Sequence, residues 1–111
     1  MEKATLHARV RDEIEALHQF FVDWFSGAAP DRDDIYEARL LRRIDPSFCF
    51  ISPDGAELNR SALANGMRKG HGSNPDFRIA IRDVNVRAVC GNHVLATYVE
   101  WQRNSLASEA T

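Results

Sequence analysis

FRIAIRDVNVRAVCGNHVLATYVEWQR, residues Phe77 to Arg103, is the stretch that decides the fold. Two runs rich in valine, isoleucine, alanine and aromatic residues flank Gly91-Asn92. Glycine and asparagine both tolerate the positive φ that the central residues of a two-residue hairpin loop require. The stretch therefore predicts one long antiparallel hairpin, with strands at 77–89 and 93–103.

The turn also predicts the register of this hairpin. With Cys90 opposite His93, apolar and polar residues alternate back to Val84, and the alternation changes phase at Arg82-Asp83. A β-bulge there would absorb the extra residue. One face is then apolar and belongs to a core, and the other is half polar and suits water or a protein partner. The predicted core face consists of Ile79, Ile81, Val84, Val86, Ala88, Leu95, Thr97, Val99 and Trp101.

Length and composition indicate one domain of ordinary soluble type. The chain has 111 residues, a hydrophobic content of 44% and a net charge of −2, so one core over residues 1–111 is expected. Acidic and basic residues are interspersed, and no nucleic-acid or membrane partner is expected. No apolar run approaches the roughly 20 residues of a membrane span, and no signal peptide is evident, so a cytoplasmic location is predicted. Cys49 and Cys90 are expected to be free thiols, with no metal site and no cofactor.

The rest of the chain predicts three helices and one short strand. Apolar residues recur at steps of three and four from Leu6 to Phe25, and Gly27 ends this amphipathic pattern. Asp31 and Asn59 are the predicted N-caps of the second and third helices. Helices are predicted at about 2–26, 31–44 and 60–69, and a strand at 48–52. The small, polar tail 104–111 is expected to be disordered or truncated.

This order of elements resembles the nuclear-transport-factor-2-like (NTF2-like) superfamily. Its fold is α+β and cystatin-like, a cone in which N-terminal helices pack on a curved antiparallel sheet. The likeness is greatest to small bacterial SnoaL-like and ketosteroid-isomerase-like members, including the DUF4440 type of unknown function. The segments that carry it are FFVDWFSG (20–27), FCFISPDG (48–55), RSALANGMRKGHG (60–72) and IRDVNVRAV (81–89).

The chain departs from this superfamily after the hairpin. Such domains usually continue with two further long strands, whereas this sequence ends about eight residues after the last predicted strand. The apolar strand 96–101 would then lie at a sheet edge with unpaired backbone groups. Either a C-terminal portion is missing, which is the preferred interpretation, or another subunit covers the edge.

The steroid-isomerase reaction can be tested against the sequence. Steroid isomerases of this superfamily use a helix tyrosine, an aspartate beside a proline and a protonated aspartate on a later strand. The resemblance puts Phe20 at the tyrosine and Ser52 at the base. Phenylalanine cannot donate a hydrogen bond, and an unassisted serine does not abstract a carbon-bound proton. That reaction is not expected, and an enzyme of this type would be a SnoaL-like isomerase, cyclase or hydrolase.

The candidate catalytic residues are His71, Asp54 and Asp23. The resemblance places the loop of His71 near the mouth of the pocket, while Asp54 follows the first strand and Asp23 lies on the first helix. Each also has a structural interpretation, as a turn residue or a helix-terminal group. His18 is interpreted as a boundary histidine, and Glu100 as a cross-strand partner.

Two functions remain open. An apolar cup could bind a small hydrophobic molecule, or its side chains could fill one another and leave no void. Its predicted lining is Phe21, Trp24, Phe25, Phe50, Met67, Ile81, Thr97 and Trp101. The alternative is a dimerising interaction module without catalytic activity, because superfamily members often form homodimers through the sheet. Its predicted dimer face is Arg78, Asn85, Arg87, Tyr98 and Glu100.

Overall fold

A computed structural model describes residues 3–104, in which helices are combined with two antiparallel strand pairs. Strand β1 pairs with β2, and β3 pairs with β4. This combination confirms the predicted α+β class. The elements are α1 (Lys3–Ser26), α2 (Asp33–Arg39), a 3-10 turn (Leu41–Arg43), β1 (Cys49–Ile51), β2 (Glu57–Asn59), α3 (Arg60–Arg68), β3 (Arg78–Cys90) and β4 (His93–Arg103).

The second helix differs most from its prediction. It ends at Arg39, and the 3-10 turn takes the place of its expected last turn. Asp31 does not cap it, because Arg32 occupies the N-cap position and caps no amide. Asn59 caps α3 as predicted, since its side chain accepts a hydrogen bond of 2.8 Å from the amide of Ala62. The prediction for residues 105–111 of the tail lies outside the described residues.

The described chain divides into two compact units. The first contains residues 3–22 and 76–104, which are most of α1 and the β3–β4 hairpin. The second contains residues 23–75, with the end of α1, α2, the β1–β2 pair and α3. The single domain expected from the sequence stays a prediction.

Two buried aromatic rings form the centre of the second unit. The rings of Trp24 and Tyr36 have centroids 4.8 Å apart. The indole N–H of Trp24 donates to the carbonyl of Met67 at 2.8 Å, and the hydroxyl of Tyr36 donates to the carbonyl of Ala64. Both polar atoms are therefore bonded to the backbone of α3, so the rings can be buried without an unsatisfied group.

Arg68 adds charge to this aromatic pair. Its guanidinium lies 4.9 Å from the centroid of Trp24 and donates to Asp31 at 2.6 Å and to Asp33 at 2.9 Å. Asp31 therefore pairs with α3 instead of capping α2. Burial raises the pKa of Tyr36 to about 12, against the opposing charge of Arg68, so its hydroxyl stays a donor.

The β3–β4 hairpin of the first unit has two irregularities. Cys90 is opposite His93 and Val89 opposite Val94, as predicted. The register then shifts between Val86 and Ala88 and again between Arg82 and Asn85. The second of these shifts is the predicted bulge, in which Asp83 has a φ of 55°. The shift at Arg87 is missing from the sequence prediction.

The bulge at Arg87 reverses the predicted facing of β4. Side chains of a strand alternate between the two sheet faces, so one extra residue changes which β4 side chains share a face with β3. Ile81 is opposite Glu100, and Ala80 is opposite Trp101. Glu100 contacts α1 through His18, and we call this the inner face. The predicted core facing of β4 is wrong, because the following residues lie on the outer face: Leu95, Thr97, Val99 and Trp101.

Helix α1 also bonds to the bulge between Arg82 and Asn85. Val84 has no partner in the β3–β4 ladder, and its carbonyl accepts a hydrogen bond of 2.7 Å from Nε2 of His7. A bulge leaves backbone groups unpaired, and a buried carbonyl needs another donor. His7 supplies that donor and attaches the start of α1 to β3.

Two glycines of the second unit give a matched test of its packing. A Cβ added at Gly70 would lie 2.5 Å from Cε1 of Phe25, whereas one at Gly66 would meet no heavy atom within 4 Å. We expect Gly70→Ala to lower the free energy of unfolding by about 1–3 kcal/mol through overpacking. Gly66→Ala should raise it by about 0.5–1 kcal/mol, because alanine has less freedom in the unfolded chain. Urea unfolding monitored by tryptophan fluorescence measures both, and a Gly70→Ala variant as stable as the parent would contradict this close approach.

Candidate functional site

The candidate site is centred on His18, which is the buried polar residue of the described range 3–104. Its Nδ1 lies 2.7 Å from the carbonyl oxygen of Ile14, one turn earlier in α1. Its Nε2 lies 2.9 Å from Oε1 of Glu100 on β4. A carbonyl and a carboxylate can only accept hydrogen bonds, so both ring nitrogens donate. His18 is therefore an imidazolium that faces a carboxylate.

The pKa shifts of both partners favour this ion pair. Burial by itself lowers the pKa of His18, but the hydrogen bonds to Glu100 and Ile14 and the charge of Glu100 outweigh it, and the pKa is raised. The hydrogen bond from His18 lowers the pKa of Glu100 against its partial burial, and Gln102 adds to the effect. The side chain of Glu100 is 28% exposed. The pair is therefore charged near neutral pH and reaches solvent at one end.

Tyr98 places a hydroxyl beside the imidazolium. Its oxygen lies 3.2 Å from Nε2 of His18, and the two rings meet edge to face with centroids 5.3 Å apart. Nε2 carries one proton, which it shares between Glu100 and the hydroxyl oxygen, so the hydroxyl keeps its own proton for another acceptor. Burial, and then the charge of Glu100, raise the pKa of Tyr98, which keeps the phenol neutral. A phenol donor thus lies next to a buried cation.

This arrangement can bind an oxygen, and His18 and Glu100 already have hydrogen-bond partners at each polar atom. Oε1 of Glu100 is bonded to His18, and Oε2 accepts from Gln102. Neither ring nitrogen of His18 has a lone pair to take a proton. Preorganised donors beside a positive charge stabilise a carbonyl or anionic oxygen, above all where water is partly excluded. Binding and polarisation of an oxygen are therefore the chemistry that the cluster offers.

A groove lies in the same unit, between α1 and the bulge at Arg87. Its volume is about 410 Å³. Four inner side chains of β3, Ile79, Ile81, Val84 and Val86, are only half-buried, so α1 does not close over this face. The groove is lined by Leu6, His7, Asn85, Val86, Arg87, Ala88 and Val89.

A second cleft, of about 380 Å³, lies between α2 and α3. Its two arginines are already bonded: Arg60 donates to the carbonyls of Leu41 and Ile44, and Arg68 pairs with two aspartates. A cleft whose cations are satisfied has little to offer a charged ligand. The first unit therefore contains the better candidate.

The comparisons with known proteins agree with this fold. The sequence matches no protein-family model and no curated protein. A crystal structure of an NTF-2-like protein of unknown function from Pseudomonas aeruginosa is similar, with a TM-score of 0.75 and 30% sequence identity. The similarity covers 84% of this chain and 71% of that one. This chain belongs to the NTF2-like family.

NTF2-like membership confirms the fold that the sequence predicts. Over residues 3–104, no helix of this NTF2-like chain is long and apolar enough to cross a membrane. Within the same range, no three histidine, cysteine or acidic side chains are grouped to hold a metal ion. Cys49 and Cys90 are exposed free thiols, as predicted. The cytoplasmic location stays a prediction.

The three predicted catalytic residues of this NTF2-like chain lie in the second unit, whereas His18, Tyr98 and Glu100 lie in the first. His71 lies 2.6 Å from the carbonyl of Ala29 and packs its ring on Trp24. Asp23 pairs with Arg39 at 2.9 Å. Asp54 accepts hydrogen bonds within its own turn, and the bond from Ser52 lowers its pKa. All three have structural partners, and their catalytic role stays a prediction.

The predicted pocket lining is divided between the two units. Trp24 and Met67 contact each other in the second unit, while Phe21 packs edge to face on His18 in the first, with centroids 5.1 Å apart. Ile81 lies on the inner face, but Thr97 and Trp101 do not. Phe25 contacts the backbone of Gly70, and Phe50 is exposed on β1. That these side chains line one pocket stays a prediction.

The predicted dimer face is divided by the same bulge. Arg78 and Asn85 lie on the outer face, and Nε of Arg87 donates to the outer Thr97 at 2.8 Å. Tyr98 and Glu100 lie on the inner face and contact His18 of their own chain. Two features of the sequence point to the cluster of His18, Tyr98 and Glu100. Tyr98 and Glu100 are two residues apart, so they lie on the same face of β4, and His18 lies beside the apolar stripe of α1.

The charge of the His18–Glu100 pair makes its stabilising effect depend on pH. The pKa of His18 is higher in the folded chain than in the unfolded chain, where it is about 6.5. Its contribution to stability is therefore complete at pH values below about 6.5 and is lost as the pH rises through the folded pKa. The pKa of Glu100 is lower in the folded chain than in the unfolded chain, where it is about 4.3. Its contribution to stability is therefore complete at pH values above about 4.3 and is lost as the pH falls through the folded pKa. A double-mutant cycle with His18→Gln and Glu100→Gln should give a coupling of about 1–2 kcal/mol at pH 5.5 and much less at pH 9. Urea unfolding at the two pH values measures it.

Arg11 and Glu15 on the exposed side of α1 provide the matched control pair. They lie 3.9 Å apart, and both side chains are about half exposed. Water screens such a pair, so the corresponding cycle should give a small coupling at both pH values. A His18–Glu100 coupling that is equal at pH 5.5 and pH 9 would show that the pair is not ionic.

Proposed function

We propose that this NTF2-like chain binds a small, largely apolar molecule that carries one carbonyl or carboxylate oxygen. The observation that carries the proposal is the doubly donating His18 beside Tyr98, whose hydroxyl proton is left for an acceptor. The ligand oxygen would accept from the hydroxyl of Tyr98, where the imidazolium of His18 offsets the charge of Glu100. Tyr98 is partly exposed, so a ligand can reach it.

The apolar part of the ligand would contact the inner face of the hairpin. Ile81, Val84 and Val86 are half-buried there. Covering these side chains removes hydrocarbon from water, which favours binding without directional contacts. A mostly apolar wall with a few polar groups is the usual composition of a small-molecule site.

Within the family, we infer a SnoaL-like or ketosteroid-isomerase-like subtype of the DUF4440 kind, on the resemblance of the four segments named above. The donor differs from that of the steroid isomerases, because Phe20 is fully buried and has no hydrogen to donate. Tyr98 of β4 takes that role in the proposal. We propose binding without turnover, since both ring nitrogens of His18 already donate and both oxygens of Glu100 already accept a hydrogen bond.

Homodimerisation through the hairpin is the second candidate. It is supported by Leu95, Val99 and Trp101, which are 62%, 52% and 46% exposed on the outer face. A symmetric dimer sets the same patch against itself. Arg82 and Arg103 of the outer face would then approach their own copies. Like charges oppose this contact, so small-molecule binding is the stronger candidate.

Two soluble naphthalenes test the oxygen site. 2-Naphthoate carries the acceptor that Tyr98 would bind, whereas 2-(aminomethyl)naphthalene offers a cation in its place. We expect 2-naphthoate to bind more tightly and Tyr98→Phe to weaken it about 5–10-fold, the loss of one hydrogen bond of about 1–1.4 kcal/mol. Fluorescence anisotropy of the naphthalene ring measures both affinities.

Thr97→Val is the matched control, because it removes a hydroxyl from the neighbouring position on the outer face. It should leave the affinity for 2-naphthoate unchanged. The proposal is wrong if neither naphthalene binds, or if 2-naphthoate binds Tyr98→Phe as tightly as the parent chain.

A further inference from the structure

The two ring protons of His18 differ in whether they can be lost. Nδ1 lies 2.7 Å from the carbonyl oxygen of Ile14, which has no hydrogen to donate, so Nδ1 keeps its proton in either state of the ring. Nε2 lies 2.9 Å from Oε1 of Glu100 and 3.2 Å from the hydroxyl of Tyr98. A hydroxyl can donate as well as accept, so Nε2 has a partner with or without its proton. Neutral His18 is therefore the tautomer with its proton on Nδ1.

The hydroxyl proton of Tyr98 has a different acceptor in each of these two states. Opposite the imidazolium, the hydroxyl oxygen accepts from Nε2, and its hydrogen points away from the ring of His18. Opposite neutral His18, Nε2 offers a lone pair, and a buried acceptor without a donor is costly. The hydroxyl hydrogen then turns toward Nε2, which requires rotation about one C–O bond and no movement of either ring. The side of the phenol oxygen that faces away from His18 thereby changes from a donor to an acceptor.

Glu100 responds to the same loss of a proton. Its Oε1 faces the proton of Nε2 in the charged pair, and after deprotonation it faces a lone pair at the same 2.9 Å. Two acceptors repel each other, and the side chain is 28% exposed, so water can solvate the released oxygen. Oε2 keeps its hydrogen bond from Gln102. The cluster of His18, Tyr98 and Glu100 then carries the uncompensated negative charge of a carboxylate.

The surroundings of His18 confine this titration to Nε2. Within residues 3–104, the titratable groups in contact with His18 are Glu100 and Tyr98, and both belong to β4. Its contacts on α1 itself are a backbone carbonyl and an aromatic ring, and β3 sets the apolar Ile81 opposite Glu100. Burial, and then the charge of Glu100, raise the pKa of Tyr98, so the phenol keeps its proton while His18 titrates.

We propose that His18 is a positioning residue that selects the ligand through the hydroxyl of Tyr98. In its charged form it makes the phenol a donor, which binds a carbonyl or carboxylate oxygen. In its neutral form it makes the phenol an acceptor beside the carboxylate of Glu100, which favours an ammonium group. The same hydroxyl holds the ligand oxygen in the proposed function, on which this inference rests. Carbonyl ligands are thus bound at low pH and released as His18 loses its proton.

An uncharged ketone, 2-acetylnaphthalene, tests the direction of the hydroxyl proton, because its own charge does not change with pH. We expect its affinity to fall about 5–10-fold as His18 loses its proton, which is the loss of one hydrogen bond. Equilibrium dialysis between pH 5.5 and pH 9 measures the affinity. Nitrogen-15 NMR of the same samples follows both ring nitrogens, and it should show Nε2 deprotonated and Nδ1 protonated at the end of the titration.

Glu100→Gln distinguishes a positioning role from a structural one. Burial lowers the pKa of His18, and Glu100 raises it. Glutamine keeps an acceptor for Nε2 but removes the charge, so the titration of His18 should move to lower pH. The fall in ketone affinity should move to lower pH with it. In the parent chain, 2-(aminomethyl)naphthalene should show the opposite trend and bind more tightly once His18 is neutral.

Two further variants complete the test. Tyr98→Phe should bind the ketone weakly and with the same affinity at every pH, because no hydroxyl is left to turn. His93→Gln is the matched control, because it removes an exposed histidine from the start of β4. It should leave the pH profile of the parent chain unchanged. Circular dichroism and urea unfolding establish that each variant is folded.

Three results would overturn this inference and leave the proposed function standing. The first is a ketone affinity that depends on Tyr98 but stays constant while His18 titrates. The second is a neutral His18 with its proton on Nε2, and the third is a His18 that keeps both protons up to pH 9. If neither 2-naphthoate nor the ketone binds at any pH, the proposed function is wrong and the inference with it.

Discussion

The extra residue at Arg87 is the constraint on which the first unit depends. Because strand side chains alternate strictly between two faces, this one residue decides which half of β4 meets α1. With the bulge, Tyr98 and Glu100 reach His18, and Trp101 lies on the outer face. Without it, the imidazolium of His18 would face apolar side chains. The oxygen site and the outer face both follow from the bulge.

The ion pair in turn helps to specify this register. Burying two charges costs several kcal/mol of desolvation, and good geometry roughly offsets that cost, so the pair adds little to net stability. A slip of β4 by one residue would leave His18 buried without Glu100, at a cost below the roughly 3–5 kcal/mol of a fully buried pair, because the side chain of Glu100 is 28% exposed. The wrong register is therefore penalised far more than the right one is stabilised. His7 acts in the same way at the carbonyl of Val84.

Most of the fold could be predicted from local signals. Gly91-Asn92 predicts the turn, the phase change at Arg82-Asp83 predicts one bulge, and Asn59 predicts the start of α3. The bulge at Arg87 leaves no such signal, because Ala88 is small enough for either face and the alternation of apolar and polar residues is unbroken there. The candidate site depends on this extra residue, which the sequence analysis did not predict. The sequence alone therefore assigned Glu100 to the wrong face. Trp24 and Tyr36 show a second limit, since their bonds to α3 arise from contacts distant in sequence.

The most direct measurement of the central claim is a nuclear Overhauser spectrum of the aromatic and aliphatic side chains. With the bulge at Arg87, cross-peaks connect the ring of Tyr98 to the ring of His18, and the indole of Trp101 shows none to α1. Cross-peaks from the Trp101 indole to Ile14 or His18, without any from Tyr98, would contradict the register. The oxygen site would then be wrong as well.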